Sequence, residues 1–464
     1  MKKLANRVRS FLAAIAGQIK EIGTIFREGN SRTRLSFLLM GFGSLTQGQV
    51  IKGLLYLAFE VGFFLFQALF GWQYLKDIGT LGTNTQARVW DEALQIYRRT
   101  PGDNSMLILL FSVVTLASII PFFVLWKANL KSAYLAQKKI EQGEKPASFL
   151  QDIKTLLDRR FHMTLLSLPM LTLIAFTVLP IIFMILIAFT NFDKNHQPPG
   201  SLFTWVGMKN ISDVFLGDPL KSQSFFGILS WTLVWAVFAT FTNYILGMIL
   251  AMMINKKGIR LKKMWRTLFV TTIAIPQFVS LMLISKMITD TGIINVLLQR
   301  IGLISAPIPF LTDPTLARIT VIVINMWVGI PYTLLMSTGI LMNIPQELYE
   351  SASIDGAGPV RSFFSITLPY MLFITTPYLI TTFVANINNF NVIWLIAAGG
   401  PLTLQYYQAG KTDLLVTWLY RLTVDRQDYA LASTIGIFIF MIVSIFSLTV
   451  YNMTGSVKKE DQFQ

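Results

Sequence analysis

Eight runs of about 20 or more mostly apolar residues recur along this chain, at roughly 51–71, 106–126, 164–190, 227–254, 267–289, 319–342, 370–397 and 430–452. A helix of about 20 residues crosses a hydrocarbon core of about 30 Å. Inside that core each backbone N–H and C=O needs a partner within the protein, and a run of this length meets the need only as a helix. The sequence therefore predicts an all-α, polytopic membrane protein with about eight transmembrane helices. Only 14% of the residues are charged and the mean hydropathy is +0.56, too apolar for a soluble domain of this size. A shorter run, SFLLMGFGSLTQG at 36–48, is apolar but rich in glycine and reads as a re-entrant or interfacial piece.

The net charge of +15 follows topology rather than nucleic acid, because the basic residues cluster between the apolar runs. Lys and Arg accumulate in cytoplasmic loops. With the N-terminus inside, the inner segments and tail hold 25 basic residues and the outer loops 12. Both termini are then expected in the cytoplasm. The opening MKKLANRVRSFLAAIAGQIK lacks a continuous apolar region and a clear cleavage site, so it reads as a retained amphipathic helix on the cytoplasmic face. With no cysteine, and with His162 and His196 far apart, no metal centre or thiol chemistry is expected.

Between the sixth and seventh runs lies YESASIDGAGPVRSFFSITLP, residues 349–369, a polar stretch that the charge count places on the cytoplasmic side. Pro345 suits the start of a helix, 346–354 are helix formers, Gly356 and Gly358 permit a tight turn, and Pro359 can open a second short helix. Leu348, Ile354, Phe363 and Phe364 can then pack on the membrane domain or on a partner. An ordinary connecting loop would account for the same residues. The stretch resembles the signature of ABC importer permeases, with Glu350-Ser351-Ala352, then Gly356, then Ile366-Thr367-Leu368-Pro369; serine stands in place of the motif's first alanine. The resemblance implies a coupling helix, about 345–366, that docks in a groove of a cytoplasmic ATPase. It implies a polar contact from Glu350, a turn at Gly356, and a shared role for Ser351, Ala352 and Asp355.

The chain carries no Walker A loop: Gly410-Lys411-Thr412 has Gln405 where the first glycine belongs. It is expected to be no enzyme itself and to hold no cofactor, with ATP bound by a partner subunit.

Polar residues inside spans are costly and mark function by default. Span seven carries TTFVANINNFNVIW, in which Thr382, Asn386 and Asn389 fall on one face of a continuous helix. Span six carries VIVINMWVGIPYTLLM, in which Asn325, Val328, Gly329 and Tyr332 share a face, with Gly329 and Pro331 expected to loosen the helix. Carboxamides suit sugar hydroxyls, and Trp327 and Tyr332 offer flat rings for stacking. The alternative is that these asparagines join helix to helix.

From about residue 160 onward the chain is similar to the larger, F-type permease subunit of maltose and maltodextrin importers. The likeness is carried by Asn325 to Tyr332, Tyr349 to Pro359, Asn388 to Phe390, Gly399 to Pro401, and AGKTDLLVTWLYR at 409–421. It implies a sugar site midway through the membrane, formed by Asn325, Val328, Gly329 and Tyr332 with Thr382, Ala385, Asn386 and Asn389. Ala385 replaces a bulkier aromatic and Thr382 a serine. The outer loop between spans three and four is short, about 35 residues, where enteric relatives carry a folded domain.

The expected organisation is an N-terminal segment 1–160 with two spans and a basic loop, a six-helix ABC permease core 161–455, and a cytoplasmic tail 456–464. The expected partners are a second homologous permease, a dimer of cytoplasmic ABC ATPase, an extracytoplasmic sugar-binding protein and the lipid bilayer of a bacterial cell membrane, but no nucleic acid. Rival readings are a permease for raffinose-type oligosaccharides or glycerol phosphate, a secondary sugar transporter, and a structural scaffold. Anionic cargo would favour Lys or Arg in 319–342 or 370–397, which hold none. A proton-coupled transporter would want Asp, Glu or His as a relay, which spans three, six and seven lack.

Overall fold

A computed structural model describes residues 2–256 and 258–453; the expected tail at 456–464 lies outside the described residues. Seven helices among the described residues are long and apolar enough to cross a membrane: Val50–Leu75, Ser105–Glu141, Phe161–Ile187, Pro219–Asn255, Pro314–Leu341, Pro359–Ala397 and Tyr429–Asn452. The pair Lys262–Ala274 and Gln277–Met287, bent by 89° at its break, is a broken span or a re-entrant loop, and counted as one span it brings the total to eight. Each expected run thus has its helix, and we number the spans one to eight in chain order.

Span five breaks where sequence analysis expected a continuous helix. Proline disfavours helical backbone in the residue before it and lacks an N–H for the helix ladder. Ile275 accordingly takes φ −84°, ψ 127°, and Pro276 takes φ −54°, ψ 124°.

The chain divides into two compact units, Met1–Leu186 with Asn195–Trp205, and Ile187–Lys194 with Val206–Gln464. The division falls after Leu186, inside the segment expected to open the permease core. In the first unit the amphipathic helix is present as Lys2–Glu28. Its Glu21 pairs with Lys127 and Lys131 of span two at 3.0 and 2.8 Å. The run at 36–48 folds as turns and a short helix, Phe42–Thr46. Its polar backbone is satisfied by two spans. Met40 N donates to Glu60 Oε2 of span one at 2.7 Å, and Gly41 N donates to Asn129 Oδ1 of span two at 2.8 Å. Gly41 sits at φ 85°, and a Cβ there would lie 2.0 Å from the carbonyl oxygen of Gly53. Only glycine meets both conditions.

Between spans one and two stands an antiparallel hairpin, β1 Arg88–Asp91 and β2 Ile96–Arg99, which the all-α expectation did not include.

The second unit holds spans four to eight. Spans four and six approach closely. A Cβ on Gly247 would lie 2.0 Å from Thr333 Oγ1, and one on Gly329 would lie 2.0 Å from Asn243 Nδ2. Thr333 Oγ1 also donates to the Asn243 carbonyl at 2.8 Å. Small residues and local hydrogen bonds are the means by which helices associate where lipid removes the hydrophobic drive. Trp231, Trp235, Leu281, Val321, Val392 and Ile393 form a buried core around this contact.

Candidate functional site

Span six remains one helix through Gly329 and Pro331, so the expected loosening takes the form of close packing instead. Asn325 is 4% exposed and its Nδ2 has no hydrogen-bond partner; across the span four contact, Asn243 Oδ1 is likewise unpartnered. Each such buried orphan costs about 1–3 kcal/mol. Gly329 abuts Asn243. Val328 and Tyr332 face elsewhere: with Trp327 they line a cavity of about 20 Å³, closed on the other side by Thr272, Gln277 and Ser280 at the bend of span five. Tyr332 is 52% exposed. The cavity lining combines two aromatic rings, the aliphatic Ile273, Ile275 and Val328, a carboxamide and the hydroxyls of Thr272, Ser280 and Tyr332, with no ionised group.

Span seven departs further from expectation. Its helix ends at Ile387, and Asn389 at φ −74°, ψ 91° caps a new helix, Phe390–Ala397, by accepting from Val392 N at 3.3 Å. Asparagine favours this role because its short side chain competes for local backbone N–H groups. The face drawn through 382, 386 and 389 on one continuous helix is therefore interrupted. Asn386, 8% exposed, donates through Nδ2 to Thr240 Oγ1 of span four at 3.0 Å and receives Asn389 Nδ2 on its Oδ1 at 3.2 Å. Its carbonyl accepts from Trp235 Nε1 at 3.1 Å. Here the helix-joining alternative describes what Asn386 does. Thr382 is half-buried and Ala385 exposed. Among the described residues no hydrogen bond joins the span six set to the span seven set.

Four contributors were missed by sequence reasoning: Gln277 and Ser280 at the bend, and Thr240 and Asn243 on the polar side of span four. The signal for the first two was Pro276, embedded in an apolar run. For the others it was the series Thr240, Thr242, Asn243 inside a span.

The polar stretch folds as expected from its sequence. Helix Gln346–Ile354 begins after Pro345, Gly356 turns at φ 75°, and Pro359 opens the helix Pro359–Ser362. Glu350, Ser351, Asp355 and Gly356 are exposed and Ala352 half-buried. Tyr349 OH and Thr367 Oγ1, 2.8 Å apart, tie the knob to the foot of span seven. Ile354 is 86% exposed, and Leu348, Val360 and Phe364 are exposed beside it. The knob is tied to span seven by this contact and presents apolar and acidic side chains together.

The motifs at 399–401 and 409–421 form a clamp. The buried Asp413 carboxylate accepts from Gly410 N and Thr417 Oγ1, both at 2.8 Å, and faces Arg421 Nη2 at 3.5 Å. Burial pushes its carboxyl above the usual range, and Arg421 opposes that shift. Gly399 packs directly on this carboxylate, leaving no room for a Cβ.

Residues 243–455 match the family described as the binding-protein-dependent transport system inner membrane component. The galactooligosaccharides transport system permease protein GanP of Bacillus subtilis (strain 168) is 33% identical over 91% of this chain and 97% of its own length. The maltodextrin transport system permease protein MalC of Streptococcus pneumoniae serotype 4 is 31% identical over 93% and 97%. The maltose/maltodextrin transport system permease protein MalF of Escherichia coli (strain K12) is 35% identical over 58% of this chain and 52% of its own. In fold, the chain resembles a crystal structure of a bacterial ABC transporter that imports the acidic polysaccharide alginate. The TM-score is 0.51, at 24% identity over 66% of this chain and 97% of that one. Spans, knob and relatives agree: this chain belongs to the binding-protein-dependent transport system inner membrane components, as a multi-pass permease subunit of an ABC importer.

Proposed function

We propose that the cargo is a neutral oligosaccharide of the maltodextrin class, carried inward by alternating access. The observation that carries this reading is the uncharged lining of the cavity between spans five and six, where Trp327 and Tyr332 meet Gln277, Thr272 and Ser280. Rings stack on sugar faces, and carboxamides and hydroxyls both donate to and accept from sugar hydroxyls. Relatives named for maltodextrin transport support the same cargo. At about 20 Å³ the cavity has room for about one water. Sugar entry thus requires the bent span five to move away from span six, which also opens the way to the orphaned Asn325 and Asn243. Thr382 and Ala385 contribute from span seven in that open state, while Asn386 and Asn389, whose carboxamides are already paired, hold the frame.

The exposed knob at 345–366 is the joint to a cytoplasmic ATPase dimer, with Glu350 and Asp355 meeting polar groups of the motor. A second homologous permease completes the pathway, and an extracytoplasmic protein delivers the sugar. Both termini lie in the cytoplasm, as the basic residues imply. A motor shifts the permease only by binding its two states unequally.

A second reading, galactooligosaccharide cargo, is favoured by the similarity to GanP. Uptake of labelled maltotriose and galactotriose into cells lacking the native gene, complemented with this chain or with Glu350→Lys, separates the possibilities. Maltotriose uptake that Glu350→Lys abolishes, with the protein still in the membrane, is the expected result. Uptake of galactotriose alone reassigns the cargo. Full activity of Glu350→Lys removes that residue from the joint.

A further inference from the structure

The hairpin β1–β2 has no role in the reading above. Its base is firmly mounted within the first unit. Asp103 Oδ2 accepts from Thr83 and Asn84 N at 2.8 and 2.9 Å, Gln86 N donates to Pro199 O at 3.1 Å, and Trp205 Nε1 donates to Ile78 O at 2.8 Å. Above that base every strand residue but the half-buried Asp91 is exposed. A lone two-stranded hairpin is marginal in water.

Two features specify what covers it. First, the register sets Arg88 directly opposite Arg99, with Arg98 on the neighbouring pair. Like charges facing across a strand pair are destabilising. Among the described residues no ion pair or side-chain hydrogen bond reaches any of the three guanidinium groups. With only Asp91 and Glu92 beside them in the hairpin, the three guanidinium groups leave it net basic, a surface complementary to an acidic one outside this unit. Second, the pleat puts Arg88, Trp90, Tyr97 and Arg99 on one face, with the Trp90 and Tyr97 rings edge-on at 5.0 Å. The other face carries Val89, Asp91, Ile96 and Arg98. A hairpin lying on lipid would segregate apolar from charged residues. Here each face mixes them, and Trp, Tyr and Arg are the residues that dominate protein–protein contacts.

We propose that the hairpin is a docking arm for the extracytoplasmic sugar-binding protein, which meets it with an acidic surface. This rests on the importer reading and on the outward placement of the loop between spans one and two by the basic-residue count. The arm supplies one part of a footprint that reaches about 800 Å² per partner in stable complexes.

The test uses the whole transporter, with its second permease and ATPase, in lipid nanodiscs. The probe is the system's sugar-binding protein purified with bound maltotriose. Stimulation of ATP hydrolysis reports docking, and hydrolysis without the binding protein reports intact assembly. Arg88→Glu with Arg99→Glu, and separately Trp90→Ala, is expected to raise the half-saturating binding-protein concentration about tenfold. The double reversal should also flatten the dependence on salt. Because this chain has no cysteine, Glu92→Cys labelled with a fluorophore before assembly with the other subunits places the label at the hairpin turn alone. Its emission should shift on adding loaded binding protein and stay unaffected by quencher-bearing lipid. Unchanged half-saturation in both variants overturns the arm, as does a label quenched by lipid and indifferent to the binding protein; both leave the importer reading standing. Failure of the binding protein to stimulate even the native complex defeats the importer reading, and the arm falls with it.

Discussion

Spans six and seven both carry asparagines within the helix, yet the two helices use them in opposite ways. Span seven settles its carboxamides among neighbours: Asn386 serves Thr240 and Asn389, and Asn389 caps the next helix. Span six leaves Asn325 Nδ2 unpartnered while pressing Gly329 onto span four. A polar residue in a span is therefore not in itself a binding site. What distinguishes the two is whether its hydrogen-bonding capacity is already spent inside the protein.

The largest expected effect breaks the packed side of span six. Gly329→Val would drive its side chain into Asn243 Nδ2, 2.0 Å from where a Cβ would sit. Overpacking of this kind costs about 1–3 kcal/mol, so the thermal midpoint of the detergent-solubilised transporter should drop by several degrees and uptake should collapse. Next comes a direct contrast of asparagines. Asn386→Ala strands the Thr240 hydroxyl and Asn389 Nδ2, and should cost about 1–3 kcal/mol of stability. Asn325→Ala removes an unpartnered donor, so it should leave the midpoint within about 0.5 kcal/mol while raising the apparent KM for uptake. Equal losses of stability in the two variants would erase the distinction drawn here.

The smallest effect lies away from both spans. Glu21 is held below its usual value of 4.5 by hydrogen bonds from Lys131 first and Lys127 second. A lowered carboxylate pKa means that this contribution is fully present above the unfolded value and is lost as pH falls through the folded one. The protection of amides in helix Lys2–Glu28, taken as exchange relative to the intrinsic rate at each pH, should therefore change little between about pH 5.5 and 8 and fall only below about pH 4.

The course of the chain was legible where periodicity alone decides. Seven of the eight apolar runs are single span-length helices and the fifth is a bent pair, and the residues of 345–362 dictated helix, turn and helix through Pro345, Gly356 and Pro359. The site was legible only in part. Sequence locates Asn325 and Asn386 in mid-span, but which neighbour each meets depends on packing that no single run records. Pro276 and Asn389 both interrupt helices, although the mostly apolar runs around them continue past each in the sequence. The hairpin escaped because RVWD and IYRR are short and mixed in polarity, so their alternation is too weak to separate from loop.

The carboxylate of Glu60 bears on how the chain is made. An acidic residue in the middle of a first span would ordinarily hinder its passage from translocon to lipid by a few kcal/mol. Its hydrogen-bond donor is Met40 N, twenty residues upstream and already synthesised when Glu60 leaves the ribosome. The first 75 residues thus carry a partner for that carboxylate, and a fragment ending at residue 75 is expected to resist alkaline extraction from membranes without span two. Asn129 arrives later to fasten the neighbouring Gly41, so its loss should spare insertion of span one and weaken only the finished bundle.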